Sequence, residues 1–139
     1  MNANCFVDTN ILIYAHDRAA GAKHKRARQV VGELWEARRG VISTQVLQEF
    51  CVNAHRRIQP PVAEEQLRLI VQTYMAWNVV VNTAGSVIQA LDVAARHRIS
   101  FWDALIVNAA EEGACEILYS EDLSSNQQYG SVLVINPFA

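Results

Sequence analysis

No apolar run in the chain reaches the roughly 18 residues that a membrane-crossing helix needs, so a helical membrane protein is not expected. The opening residues, Met1-Asn2-Ala3-Asn4-Cys5, show neither the basic nor the apolar stretch of a secretory leader, which predicts a cytoplasmic location. Cysteine is sparse. Cys5, Cys51 and Cys115 are odd in number, far apart and without a C-x-x-C pair, which predicts reduced, buried thiols instead of a disulfide framework. The glycines are scattered, so the chain lacks a Gly-rich loop that cradles nucleotide phosphates. His16, His24, His55 and His97 have no zinc-ligand spacing beyond Cys51 and His55 at i, i+4, and structural roles are expected for them.

What is present describes an ordinary globular protein. A hydrophobic fraction of 51% with 19% charged residues excludes disorder, and 139 residues suit one domain that buries roughly two-thirds of its unfolded surface. The net charge of −2 hides an asymmetry. Residues 1–57 carry nine Lys/Arg against five Asp/Glu, a balance of +4, whereas residues 58–139 carry three against nine, a balance of −6. Much of the positive charge lies in Arg18, Lys23, Lys25, Arg26 and Arg28. Such a run suits either phosphate neutralisation or a solvated helix face.

Cys5-Phe6-Val7 reads as a short strand ending at the polar cluster Asp8-Thr9-Asn10. Ala27, Val30, Val31, Leu34 and Trp35 have the spacing of one buried helix face, punctuated by Gly40. Val41-Ile42 is a second strand, after which Ser43 or Thr44 caps a helix carrying Val46, Leu47, Phe50, Cys51 and Ala54, ended by Pro60-Pro61. A further helix is predicted over Val62–Trp77, a strand over Val79–Val81, and a helix marked by Val87, Ile88, Leu91 and Ala95. Ser100 caps a last helix, with Leu105, Ile106 and Ala109 inward and Gly113 beyond its end. Ile117–Tyr119 and Val132–Ile135 complete the strands. Continuous apolar strands separated by helices imply an α/β fold with a mostly parallel sheet covered on both faces. Right-handed crossovers then bring the strands' carboxyl ends to one edge, where such sheets bind ligands.

That edge collects acids. Asp8 follows the first strand, and Ser120-Glu121-Asp122 follows the fourth. Glu49 lies about a turn and a half into the helix after Ser43, and Asp103 sits in the first turn of the helix capped by Ser100. Each has a bland reading on its own: a turn residue, a solvated helix residue, or an acid complementing a helix dipole. Together they are harder to dismiss. Two carboxylates about 4 Å apart repel by roughly 4 kcal/mol at an effective dielectric near 20. Four in one pocket must take up protons or bind a cation, and an all-oxygen set selects Mg²⁺ or Mn²⁺ over Zn²⁺. Such ions bridge phosphates, which points to phosphodiester chemistry.

At these residues the chain resembles the PIN-domain nucleases and, within them, the VapC-like toxins of bacterial toxin–antitoxin pairs. The matching stretches are Phe6-Val7-Asp8-Thr9-Asn10-Ile11-Leu12-Ile13-Tyr14, Val46-Leu47-Gln48-Glu49-Phe50, Ser100-Phe101-Trp102-Asp103-Ala104-Leu105-Ile106-Val107 and Tyr119-Ser120-Glu121-Asp122-Leu123, with the ending Val134-Ile135-Asn136-Pro137-Phe138. The resemblance implies a three-layer α/β/α domain with a five-stranded parallel sheet, spanning 1–139. It further implies a Mg²⁺- or Mn²⁺-dependent endoribonuclease that forms a homodimer and is silenced by an antitoxin. Carried onto this chain, Asp8, Glu49, Asp103 and Asp122 form the acidic quartet, with Asp8, Asp103 and Asp122 as metal ligands and Thr9, Asn10 and Ser43 as polar support. Lys23, Lys25, Arg26 and Arg28 are the candidate RNA contacts, and the apolar helices between Thr44 and Trp77 the candidate dimer surface or, as the alternative, the surface that the antitoxin covers. Trp102 and Tyr14 read as packing residues, with a place at the border of an RNA groove as the alternative for either. Many relatives carry glycine where Asn126 stands, but Asn also tolerates a left-handed backbone. The fourth acid varies most in the family, and Glu121 is the nearest substitute for Asp122.

Other classes fit less well. A receiver module needs a lysine after the last strand, and the only lysines are Lys23 and Lys25. A haloacid-dehalogenase-like phosphatase usually has an acid two residues after its Asp nucleophile, where Asn10 stands. A PIN-like nuclease of RNA processing, or one acting on DNA, without an antitoxin, shares all these motifs and stays open as the alternative.

Overall fold

The computed structural model describes residues 3–139, so the reading of Met1 and Asn2 as free of a leader lies outside the described residues. β1 (Cys5–Val7) is buried on both faces, and Asp8 at its end caps α1 (Thr9–His16), accepting a hydrogen bond from the Thr9 amide. This helix follows the strand without a loop. Ile11, Leu12 and Ile13 are consecutive and all buried, so α1 is surrounded by protein and shows no single apolar stripe. Patterning therefore missed it and began the helical region near Ala27. Burying each of those three side chains contributes about 1.5–3 kcal/mol, which fixes the chain immediately after Asp8.

A single 3-10 turn (Arg18–Ala20) leads to α2 (Ala22–Ala37), whose predicted stripe Ala27, Val30, Val31 and Leu34 is buried. Its C-cap is Arg38, in the left-handed region at φ 56°, rather than Gly40. Gly40 instead opens β2 (Gly40–Ser43) beneath the Trp77 ring, where a Cβ would lie 2.5 Å from ring carbons. Glycine is demanded there by close packing, not by a turn. Ser43 caps α3 (Thr44–Arg57), and α4 (Glu64–Tyr74) follows as a shorter helix than the predicted span. β3 (Asn78–Val80) begins one residue before the expected strand.

α5 (Ala84–His97) is the helix that Val87, Ile88, Leu91 and Ala95 mark, but those residues do not form its buried face. Ser86, Ala90 and Val93 are buried, while Val87, Ile88 and Leu91 face solvent. Small residues let α5 lie close on α6 (Phe101–Glu112), so the bulky stripe is left outside. β4 (Ile117–Tyr119), the two-residue β5 (Gln128–Tyr129) and β6 (Val132–Ile135) complete a sheet of order β3-β2-β1-β4-β6-β5. The five expected strands are all parallel, and β5 adds a sixth, antiparallel to β6. Asn126 adopts φ 67°, so the turn before β5 keeps the left-handed backbone that glycine would supply.

From β1 the chain moves outward to β2 and β3, then returns to lay β4 on the other side of β1. With right-handed crossovers, α1 to α4 cover one face and α5 with α6 the other. The packing agrees: α1 rests on α2 and α3, and α5 rests on α6. Cys5 and Cys115 are buried as free thiols and Cys51 half-buried. Among the described residues, no helix is long and apolar enough to cross a membrane.

Candidate active site

The reversal of strand order places the ends of β1 and β4 side by side, with Val7 in register with Tyr119. The next residues on each strand are Asp8 and Ser120. The Asp8 amide donates to Tyr119 O at 3.0 Å, and Ser120 Oγ donates to Asp8 Oδ2 at 2.9 Å. The other Asp8 oxygen, Oδ1, accepts from the Thr9 amide at 2.7 Å. Ser120 also receives the Asp122 amide at 3.2 Å and so shapes the turn that carries the second acid. Glu49 arrives from α3, which Ser43 starts at the end of β2, and Thr9 Oγ1 donates to Glu49 Oε1 at 2.6 Å. Asp103 arrives from the opposite face, in the first turn of α6, where Ser100 Oγ accepts its amide at 3.1 Å.

These four carboxylates line one cavity of about 110 Å³, together with Thr9, Asn10, Gln45, Asn53, Trp102 and Ile106. No Lys or Arg is among its lining residues. Asp8 is only 7% exposed, and burial pushes its carboxyl up from 3.8 to about 7. The hydrogen bonds from Ser120 and Thr9 oppose that rise, whereas the charges of Asp122 and Glu49 add to it. Asp122 is also raised, by burial and then by Glu121 and Asp103, with Arg57 pulling the other way. The site thus holds negative charge that the protein itself does not neutralise.

A hard divalent ion fits this donor set, since every candidate ligand is a carboxylate or neutral oxygen. The acids do not form a closed cage: among the described residues, no three His, Cys, Asp or Glu side chains converge as metal ligands. Uncompensated carboxylates repel, and Asp8, Glu49 and Asp122 each spend one oxygen on a neighbouring side-chain donor, from Ser120, Thr9 and Asn10 respectively. Mg²⁺ tolerates such openness, because it retains several waters and takes only one or two carboxylates from a protein.

The remaining sequence candidates divide. Thr9 and Asn10 line the cavity, and Asn10 Nδ2 donates to Asp122 Oδ2 at 2.9 Å. Ser43 is fully buried and caps α3 instead, accepting the Val46 amide at 3.4 Å. Glu121 turns away from the cavity: Tyr14 OH donates to it at 2.6 Å and Lys23 Nζ lies 2.9 Å from it. Burial pulls the Glu121 carboxyl upward, but those two donors outweigh it and hold the group low. Asp122 therefore faces the site and Glu121 does not. Of the basic run, Lys23 is paired with Glu121, and Arg26 is bonded to Pro137 O and Gln29. Lys25 and Arg28 are exposed on α2.

Sequence reasoning missed Gln45, Asn53 and Ser120, and of its two readings of Trp102 the structure matches the groove-border one. The indole of Trp102 is 63% exposed at the cavity, not packed, because it precedes the inward face of α6 that begins at Ala104. Ser120 was legible only as a strand-end serine; its value comes from the β1–β4 register. A larger, mostly apolar groove of about 520 Å³ lies elsewhere, between the end of α1 and α4, lined by residues such as His16, Ile58, Pro61 and Leu69. It contains none of the acids.

Comparison with known proteins agrees with this architecture. Residues 5–126 match the family described as PIN domain. Among solved structures, a toxin–antitoxin complex from Klebsiella pneumoniae superposes with TM-score 0.68 at 20% identity, covering 96% of this chain and 97% of the other. VapC20 of Mycobacterium tuberculosis, described as a sarcin–ricin loop cleaving toxin, gives TM-score 0.62 at 22% identity over 84% and 88%. A DNA-bound VapBC from Salmonella typhimurium gives 0.64 at 17% identity over 95% and 96%. No curated protein matches the sequence significantly. With the family match spanning most of its length and the same sheet carrying its acids at one edge, the chain belongs to the PIN-domain family.

Proposed function

We propose that the protein is a Mg²⁺- or Mn²⁺-dependent endoribonuclease acting as the toxin of a toxin–antitoxin pair. The observation that carries this reading is a buried, uncompensated Asp8 in a cavity lined by three more carboxylates. Asp8, Asp103 and Asp122 would hold the ion, directly or through the waters that it retains. When bound, it supplies the charge neutralisation, the acidification of water and the Lewis-acid stabilisation that phosphodiester hydrolysis requires.

The chain's own groups do the rest. Ser120 Oγ and the Thr9 amide fix both oxygens of Asp8. Thr9 holds one oxygen of Glu49, which leaves the other to orient the attacking water and accept its proton. In-line attack at phosphorus releases the 3′ oxygen, so the products carry 5′-phosphate and 3′-hydroxyl ends. Trp102 offers an exposed ring at the cavity on which an unpaired base can stack. Lys23, Lys25, Arg26 and Arg28 along α2 are the phosphate contacts of this reading. Exposed Val52, Leu69 and Met75 in the helical region Thr44–Trp77, and Val87, Ile88 and Leu91 on α5, supply apolar surface for a homodimer and a cognate antitoxin. The toxin–antitoxin part rests on the likeness to the solved toxin complexes.

Purified protein incubated with single-stranded RNA and DNA, in Mg²⁺, Mn²⁺ or excess chelator, tests the proposal. Expected is RNA cleavage that needs the metal and that Asp8→Asn abolishes without unfolding the protein. Undiminished RNA cleavage in chelator rejects the metal-dependent scheme, and preferential cutting of DNA favours the nuclease without an antitoxin. Induced expression is expected to arrest growth, and relief by a small protein co-expressed from the adjacent gene identifies the antitoxin.

A further inference from the structure

We propose that Arg57, the last residue of α3 and outside the cavity lining, is a positioning residue that acts through the side-chain amide of Asn10 to orient Asp122 for cation binding. The inference rests on the reading of the cavity as a metal-dependent active site.

A guanidinium has only donors, whereas an asparagine amide has one accepting and one donating end. Arg57 Nη1 donates to Asn10 Oδ1. That contact settles which way the amide faces, and Nδ2 is left to donate to Asp122 Oδ2 at 2.9 Å. Without Arg57 the amide is free to flip, setting its oxygen against the carboxylate, acceptor to acceptor. Asp122 depends on this support. It is exposed, it follows a three-residue strand, and the hydrogen bond from Asn10 is the only one its carboxylate receives from a side chain among the described residues.

Arg57 is itself well placed for the task. Its guanidinium carbon lies 5.6 Å from the Tyr14 ring centroid, and the Tyr14 hydroxyl is tied to Glu121, the residue before Asp122. The relay thereby joins three distant parts of the chain: the end of α3, the first turn of α1 and the turn after β4. Interposing an amide has a chemical consequence. An arginine paired directly with Asp122 would compete with a cation for the carboxylate. One step removed, it orients Asp122 while leaving it unneutralised by contact; the ion pair found among the described residues is Lys23–Glu121, not one on Asp122.

The test is a double-mutant cycle read by Mn²⁺ affinity of the RNA-free protein, measured by electron paramagnetic resonance or calorimetry. Asp8→Asn is the control, and circular dichroism checks each fold. Loss of a group that orients a metal ligand typically weakens binding about 10- to 100-fold, and that range is expected for Arg57→Met and for Asn10→Ala. Because Arg57 acts through Asn10, the double variant is expected to bind no more weakly than Asn10→Ala alone. If Arg57→Met does not fold, Arg57→Leu, which likewise offers no donor to Asn10, gives the same comparison in the same two backgrounds. Unchanged Mn²⁺ affinity in the Arg57 variant overturns the inference, including the case where only the KM for RNA rises because Arg57 binds a phosphate. So do losses that multiply in the double variant. If the unmodified protein binds no Mn²⁺, or Asp8→Asn binds it equally well, the active-site reading itself fails and takes this inference with it. Asp8-dependent binding that is indifferent to Arg57 removes the inference alone.

Discussion

Asp8 joins the fold to the cavity with one side chain. Its Oδ1 starts α1 through the Thr9 amide, and its Oδ2 is held by Ser120 at the seam between β1 and β4. A turn-forming aspartate and a site aspartate are thus the same residue, and the bland and functional sequence readings describe two of its contacts. Thr9 behaves similarly, because its hydroxyl fixes Glu49 from 40 residues away in sequence. Thr9→Val keeps the shape but removes that donor. The expected outcome is a 10- to 100-fold drop in kcat with little change in KM, checked by steady-state cleavage of a short RNA. The acids were legible because strand-end and helix-start positions can be read from periodicity. The partners Ser120 and Arg57 were not, since their contacts arise from register and from an amide's orientation.

At the scale of elements, the strands and most helices followed from apolar patterning, and the failures have common physics. α1 escaped because full burial erases the periodicity that marks a half-exposed helix. α5 showed a clean stripe on the wrong side, because small residues, not large ones, made its contact with α6. β5 is two residues long and leaves no pattern to find. Ser43 separates the two kinds of role an element terminus can take. It is buried and caps α3, the helix that delivers Glu49, but it does not line the cavity. Ser43→Ala should therefore cost about 0.5–2 kcal/mol of stability, read by denaturant unfolding, while the folded variant retains its cleavage rate. A lost rate in a variant of unchanged stability would return Ser43 to the site.

For the whole molecule, the order β3-β2-β1-β4-β6-β5 turns back at β1, and ligands of open α/β sheets bind at such a reversal. The fold concentrates negative charge where the protein places no cation, and that makes stability depend on pH with a definite sign. Burial holds the Asp8 carboxyl at about 7 in the folded chain, against the 3.8 of an unburied group. Below about pH 4 the group is protonated in both states and imposes no penalty. Between about 4 and 7 the unfolded chain releases the proton more readily, so folding stability falls as pH rises and then levels off. The shift corresponds to on the order of 4 kcal/mol at most, before a cation is added.

Whether these carboxylates require a divalent counter-ion is read from thermal unfolding of the protein and of Asp8→Asn, from pH 4 to 8, with chelator or with Mg²⁺. In chelator at pH 8 the Asn variant should melt higher than the parent, the gap should close towards pH 4, and Mg²⁺ should raise the parent's midpoint far more than the variant's. Melting curves for the two proteins that coincide across pH, with Mg²⁺ stabilising neither, would contradict the account.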